Sequence, residues 1–348
     1  MPAALSIAYL LEDTPLFGGV KVALRQANLM ARRGHRVLVV SPGEKPSWMP
    51  MAGEFVRTRG LEPDEIPPAD VTVATYWTTI SRALAGAAGE VVHYCQGFEA
   101  AYTHNVAEHP AILESYSQHV PAFAVAPHLA RMLEERFGRP ARVLPQPLEL
   151  FWSPKRATLP WSRPRSRPRI LVTAPFEIDW KGVATALNAV RLLRDRGCDC
   201  ELVRLSQWPL TDEERRIVEP DEFHEHLAPE AVPATMRSCD LMISASWEQE
   251  GFGLPVLEAM ASGVPVIASD VSSYRDFAAP AARLVPFDRP EAFAAAAREV
   301  LQDPGQWRRM RRAGLAVARG FSEDRASREA EAALRWVASG DWRDECRR

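Results

Sequence analysis

Apolar residues along this chain fall into two patterns, short unbroken runs and stripes at helical spacing, and the two alternate through most of its length. Residues 5–11 form an apolar run. Gly18-Gly19 follows, then a helical stretch over 20–33 in which Val20, Ala23, Leu24 and Ala27 fall at i, i+3, i+4 and i+7. Gly34-His35 closes that helix, and 37–41 reads as the second strand. Further strands are predicted at 71–74, 91–94, 122–125 and 142–144, with a helix over 127–137 between the last two. A second series starts with a strand at 170–173. Its helix, 182–196, carries Val183, Ala186, Leu187 and Val190 on one face. A strand at 202–205, a helix at 229–238 and strands at 240–244 and 264–269 continue it, and helices at 290–301, 304–318 and 322–336 close the chain. Unbroken apolar runs are what a strand covered on both faces requires, and their alternation with helices predicts parallel, doubly wound sheets.

Between the two series, residues 152–168 are rich in proline and arginine and cannot form a regular element. They read as a linker whose arginines are solvated, the alternative being a small anion patch. The expected layout is therefore a first domain over 1–151, the linker, and a second domain over 169–321.

With 348 residues the chain can bury two cores of ordinary size. A net charge of −3 gives no basis for nucleic-acid binding. No run of about 18 apolar residues predicts a membrane span, and residues 1–11 lack the basic-then-apolar layout of a signal peptide. A cytoplasmic location is the expectation. Five cysteines, at 95, 198, 200, 239 and 346, are odd in number and scattered, which suggests reduced thiols. Cys198-Asp199-Cys200 with His224 and His226 lacks zinc-ligand spacing, so no metal is expected. Lysine occurs only at 21, 45, 155 and 181, so each one stands out against the arginine background.

The densest chemistry lies at Glu250-Gly251-Phe252-Gly253-Leu254-Pro255-Val256-Leu257-Glu258 and the following Ala-Met-Ala-Ser-Gly-Val-Pro-Val. A strand, a glycine loop, a helix with proline in its first turn and a closing Gly263 read as one unit. Backbone N–H groups of Gly251 to Leu254 would converge at a helix N-terminus, which suits an anion. Two carboxylates eight residues apart flank that point and could hold hydroxyl groups. Taken alone, they could equally be solvated charges at a helix start.

The segment resembles the E-x7-E signature of the retaining glycosyltransferases of family 4, which have the GT-B fold. The resemblance implies two Rossmann-like doubly wound parallel-sheet domains facing across a cleft, with the last helix, about 322–348, packing back on the first domain. It implies that Glu250 contacts the donor sugar, Glu258 the ribose, and Gly251, Phe252, Gly253 and Leu254 the diphosphate. Lys181-Gly182 matches the family's lysine that faces the leaving phosphates. Gly18-Gly19 matches its N-terminal glycine loop, although a tight turn explains that pair as well. The implied reaction is transfer of a hexosyl or deoxyhexosyl group, with retention and without metal or other cofactor, from a nucleoside diphosphate sugar to an acceptor hydroxyl. The acceptor would be a carbohydrate, a lipid-linked glycan or a small molecule in cell-surface glycan or natural-product synthesis.

Two positions depart from the family pattern. Phe176 stands where members commonly carry a second cationic clamp, and Arg204 or Arg275 could replace it through space. After the strand at 91–94 comes Cys95-Gln96-Gly97-Phe98-Glu99, similar to a Gln-Asp-Tyr-Glu variant in some members. There Gln96 could hydrogen-bond the sugar or acceptor and Glu99 could orient Gln96. His93 reads as a sheet residue. Acceptor contacts would come from Phe17, residues 48–51, Trp77 and residues 98–104, and helix faces bearing Arg25, Arg32 and Arg33 could dock on the inner face of a membrane. Two other readings stand beside transfer, an inert nucleotide-sugar-binding or scaffold subunit and a nucleotide-sugar epimerase.

Overall fold

A computed structural model describes residues 3–149, 151–153 and 161–345. The chain divides into two compact units, one formed by Met1–Pro147 with Phe321–Arg348 and the other by Leu148–Gly320.

Unit 1 is built on seven parallel strands, β1 (Ser6–Leu10), β2 (Arg36–Ser41), β3 (Glu54–Arg57), β4 (Val71–Ala74), β5 (Glu90–Cys95), β6 (Ala122–Ala124) and β7 (Ala141–Val143). Their order is β3-β2-β1-β4-β5-β6-β7. Its helices are α1 (Gly18–Arg32), α2 (Trp77–Gly86), α3 (His109–Tyr116) and α4 (Pro127–Phe137). The unbroken apolar runs became the inner strands because both of their faces are covered: Ile7, Ala8, Tyr9 and Leu10 are all fully buried. β3 escapes the apolar-run pattern. It is an edge strand, with exposed Glu54 and Arg57 at its ends, and such strands carry charge.

Unit 2 has six parallel strands, β8 (Arg169–Thr173), β9 (Glu201–Ser206), β10 (Glu222–Glu225), β11 (Leu241–Ser244), β12 (Val266–Ser269) and β13 (Arg283–Val285). Their order is β10-β9-β8-β11-β12-β13. The register places Ile170 beside Leu202 and Leu241, so the middle of the sheet is aliphatic from strand to strand. The helices are α5 (Val183–Asp195), α6 (Asp212–Ile217), α7 (Val232–Arg237), α8 (Leu254–Ala261), α9 (Ser272–Phe277), α10 (Pro290–Gln302) and α11 (Pro304–Ala318). The helix expected over 229–238 is shorter at its start, where Ala231 closes a turn on Ala228.

The chain re-enters unit 1 with α12 (Glu323–Ala338) and α13 (Trp342–Glu345). α12 lies on α1, joined by ion pairs of Arg33 with Glu331 and of Arg32 with Glu323, and the buried His35 ring lies 3.5 Å from Glu331. Arg25 is buried and reaches the carbonyl of Pro147. The basic face expected of Arg25, Arg32 and Arg33 is therefore not a free cationic surface, because one arginine points inward and acids of α12 hold the other two.

Residues 154–160 of the expected linker lie outside the described residues. The end of that segment is fixed rather than loosely solvated. Arg165 pairs with Asp240 at 2.8 Å, and Arg167 reaches Asp199, Glu201 and Asp221, each at 3.0 Å. Among the described residues no helix is long and apolar enough to cross a membrane.

Candidate functional site

In each sheet the strand order reverses beside the first strand, and the carboxyl ends of the strands at such a point open a crevice. In unit 2 the reversal falls between β8 and β11. Ala174 leaves β8 with φ +90°, a backbone state that costs a Cβ-bearing residue about 1–2 kcal/mol. The chain then runs through the short 3-10 turn Asp179–Lys181 into α5. Loop 245–253 leaves β11 and enters α8.

These two segments lock together. Trp247 donates its backbone N–H to the carbonyl of Trp180 at 2.7 Å. Gly182 has φ +61°, and a Cβ there would lie 1.9 Å from the carbonyl oxygen of Ala245, so only glycine lets the turn approach the loop. The result is an ion pair of two residues 69 positions apart: Lys181 Nζ donates to Glu250 Oε2 at 2.7 Å. Glu250 is buried, with 7% of its surface exposed, whereas Lys181 keeps access to solvent.

The glycine loop rests on two aromatic side chains of α9. Gly253 takes φ +89°, and a Cβ there would stand 2.3 Å from Tyr274 Cε1. Tyr274 is buried, and its hydroxyl engages Ser244 Oγ at 2.8 Å and Ser246 Oγ at 3.1 Å. Burial, with the nearby Glu250 charge, raises its pKa, so it stays neutral. Phe252 stacks on Phe277 with ring centroids 4.6 Å apart. Its ring is thus occupied within the protein. Gly251 is buried, Leu254 is the first residue of α8, and Glu258 lies one turn on, 6% exposed. Neither Tyr274 nor Phe277 is evident from sequence, because their role rests on a helix two elements downstream.

Both arginines considered as substitutes for the missing clamp are paired with acids of this chain. Arg204 is fully buried on β9 and bound to Glu214 at 2.7 Å, with further bonds to the carbonyls of Val172 and Leu205. Arg275 pairs with Asp270 at 2.6 Å. Phe176 packs against the aliphatic core of the unit.

Unit 1 gathers a second group. Gly18 and Gly19 form the first turn of α1 rather than a loop before it, preceded by the exposed Phe17. Space around Gly18 is open, with nothing within 4 Å of a Cβ built there, whereas a Cβ at Gly19 would meet Gln96 Oε1 at 3.3 Å. Gln96 and the glycine turn are therefore neighbours. Glu99 does not bond Gln96 directly: its carboxylate is paired with the Tyr116 hydroxyl, in the interior. His93 is fully buried in the sheet, where burial and the Arg139 charge lower its pKa and keep it neutral. Phe98 packs on Tyr116 and under Arg136, and Trp48 bonds the carbonyl of Thr14.

Comparison with known proteins fits this geometry. Residues 167–303 match the family model described as Glycosyl transferases group 1. The chain is 30% identical over 201 residues to a phosphatidyl-myo-inositol mannosyltransferase of Mycolicibacterium smegmatis, covering 55% of this chain and 51% of that protein. It thus spans about half the length of that curated relative. Among solved structures, sucrose-phosphate synthase from Thermosynechococcus elongatus superposes with a TM-score of 0.75 at 15% identity, over 96% of this chain and 99% of that one. HepE of Anabaena, solved with UDP-glucose, gives a TM-score of 0.74 at 12% identity, over 95% and 99%. The fold is GT-B. Its second unit holds the matched glycosyltransferase segment, and that segment contains Lys181, Glu250 and Glu258.

Proposed function

We propose that this protein is a glycosyltransferase that moves a sugar from a nucleoside diphosphate donor to an acceptor hydroxyl, with retention and without a metal. The observation that carries the reading is the Lys181–Glu250 pair, held at the strand-order reversal of unit 2 beside the N-terminus of α8. It lies within the segment matching the Glycosyl transferases group 1 family. A relative named as a mannosyltransferase and a fold neighbour solved with UDP-glucose support a hexose donor.

Glu250 would accept hydrogen bonds from donor-sugar hydroxyls. Lys181 and the first-turn N–H groups of α8 would face the diphosphate, and Glu258 would hold the ribose. Lys181 neutralises Glu250, so the buried carboxylate is held in place without the full cost of an unpaired charge. As the glycosidic bond breaks, negative charge grows on the leaving phosphate and Lys181 offsets it. The acceptor oxygen bonds to the anomeric carbon on the face the phosphate leaves, and the acceptor proton passes to a phosphate oxygen. No protein nucleophile takes part, so the chain's work is positioning and charge stabilisation.

Calorimetric titration with GDP, UDP, dTDP and ADP in EDTA is the test. Binding of one nucleotide, lost in Lys181→Ala, supports the reading and names the base, after which GDP-mannose or UDP-glucose transfer is assayed. Absence of binding by all four, with the fold intact, refutes it and favours an inert scaffold in which Phe176 marks a lost site.

A further inference from the structure

The loop after β5 is anchored from beneath by a group of buried side chains with no part in the reading above. The Gly97 carbonyl accepts from the Tyr116 hydroxyl at 2.8 Å and from the Cys95 thiol at 3.2 Å. The same Tyr116 hydroxyl reaches the Glu99 carboxylate. Gly97 itself is closely packed, since a Cβ there would lie 1.9 Å from the Tyr102 hydroxyl. Tyr116 and Glu99 are both buried, so water does not share these bonds.

Counting protons exposes a choice. A phenol carries one hydrogen, and Tyr116 faces two acceptors. When Glu99 is ionised, its carboxylate accepts only, and the charge-assisted bond takes the phenolic proton. The Gly97 carbonyl then keeps only the thiol, a weak donor. When Glu99 is protonated, it donates to the Tyr116 oxygen and the phenolic proton turns to Gly97. The loop then hangs on a chain of two bonds, Glu99 to Tyr116 to Gly97.

We propose that Tyr116 and Glu99 are positioning residues whose shared proton sets the Gln96–Gly97 loop in one of two anchored states. This rests on the reading in which Gln96, beside the glycine turn of α1, contacts donor or acceptor.

The surroundings make Glu99 the titrating member. Burial raises its pKa to about 7, against the opposing pull of the Tyr116 bond and the Arg139 charge. From β5, Cys95 is pushed up to about 12 by burial and the Glu99 charge, and His93 is held neutral. From α3, Tyr116 is raised by burial and by Cys95 and Glu99. Beyond α4, burial lowers Arg139 to about 10, which leaves it charged, and ahead of α2 burial raises Tyr76. Between about pH 5 and 9 the proton count of the group therefore changes at Glu99.

Hydrogen exchange of the peptide spanning 96–102, corrected for intrinsic rates, tests this on the full chain without substrate. In the native protein protection should rise severalfold as pH falls through about 7. Glu99→Gln, a permanent neutral donor, should be well protected at both pH 5.5 and pH 8.5, and Tyr116→Phe poorly protected at both. Protection independent of pH in the native protein, or a pH step that survives in Glu99→Gln, overturns the proposal. Should Tyr116→Phe fail to fold, the native and Glu99→Gln comparison decides alone. Once turnover is measurable, kcat/KM should step near pH 7 in the native enzyme and not in Glu99→Gln. Nucleotide calorimetry judges the transferase reading separately, so either idea can fail without the other.

Discussion

Replacing Gly253 with alanine probes the support of the glycine loop directly. At φ +89° a residue with a Cβ carries about 1–2 kcal/mol of backbone strain. The added methyl would also stand 2.3 Å from Tyr274 Cε1 and 3.1 Å from its hydroxyl oxygen. That ring cannot swing away, because it is buried and its hydroxyl is bound to Ser244 and Ser246. Overpacking a site of this kind costs roughly 1–3 kcal/mol more, so Gly253→Ala should destabilise unit 2 by about 2–5 kcal/mol in all. Gly18→Ala is the matched control. It lies in the first turn of α1 with open space around it, and alanine in a helix is favoured by up to about 1 kcal/mol. Urea unfolding followed by tryptophan fluorescence measures both, with the transitions fitted separately because a chain of two units need not unfold in one step. Equal stability of Gly253→Ala and native protein, within about 0.5 kcal/mol, would refute the packing argument. Gly18→Ala adds a functional reading: if a ligand approaches the turn closely, that variant loses affinity while gaining stability.

Arg204→Met should cost about 3–5 kcal/mol, because it strands the buried Glu214, and Arg204→Met with Glu214→Leu should recover most of the loss. Calorimetric melting of the single and double variants checks this, and equal melting of the two would sink it. Glu258→Ala should weaken nucleoside diphosphate binding by about 1–3 kcal/mol, and unchanged affinity by titration would end its ribose assignment. Glu99 also bears on stability. Its pKa rises from the ordinary 4.5 to about 7, so between those values the folded chain holds a proton that the unfolded chain releases. Its contribution is complete below about pH 4.5, falls as pH rises to about 7 and is flat above. The loss is on the order of 3 kcal/mol, and Glu99→Gln should remove that slope from a series of melts.

Legibility in the sequence followed burial. Strands covered on both faces announced themselves as apolar runs, whereas β3, β10 and β13 did not, because an edge strand such as Glu222–Glu225 can carry a carboxylate at each end and a single apolar residue. Glycine and proline marked helix ends where backbone geometry demands them, as at Gly34, with φ +88°, and Gly263, with φ +73°. Helical spacing was less complete. The stripe through Val20, Ala23, Leu24 and Ala27 identifies the face of α1 that meets the sheet, but α1 is buried continuously from Val22 to Met30 because α12 covers another side. Periodicity within one helix cannot reveal partners far along the chain, and Arg25 read as surface because the carbonyl it reaches, that of Pro147, lies 122 residues away. The same limit governs the site. Glu250, Glu258 and Lys181 stand out by motif, yet their pairing, the Tyr274–Phe277 support and the withdrawal of Glu99 to Tyr116 are long-range contacts. Arg204 marks the boundary between the two cases. A cation inside the apolar run at 202–205 invited a functional reading, while Thr211 and Glu214 form a capping box at the start of α6 that already placed an acid at a helix N-terminus nearby. A charged residue in a buried run needs its counter-charge sought first, before a ligand is assigned to it.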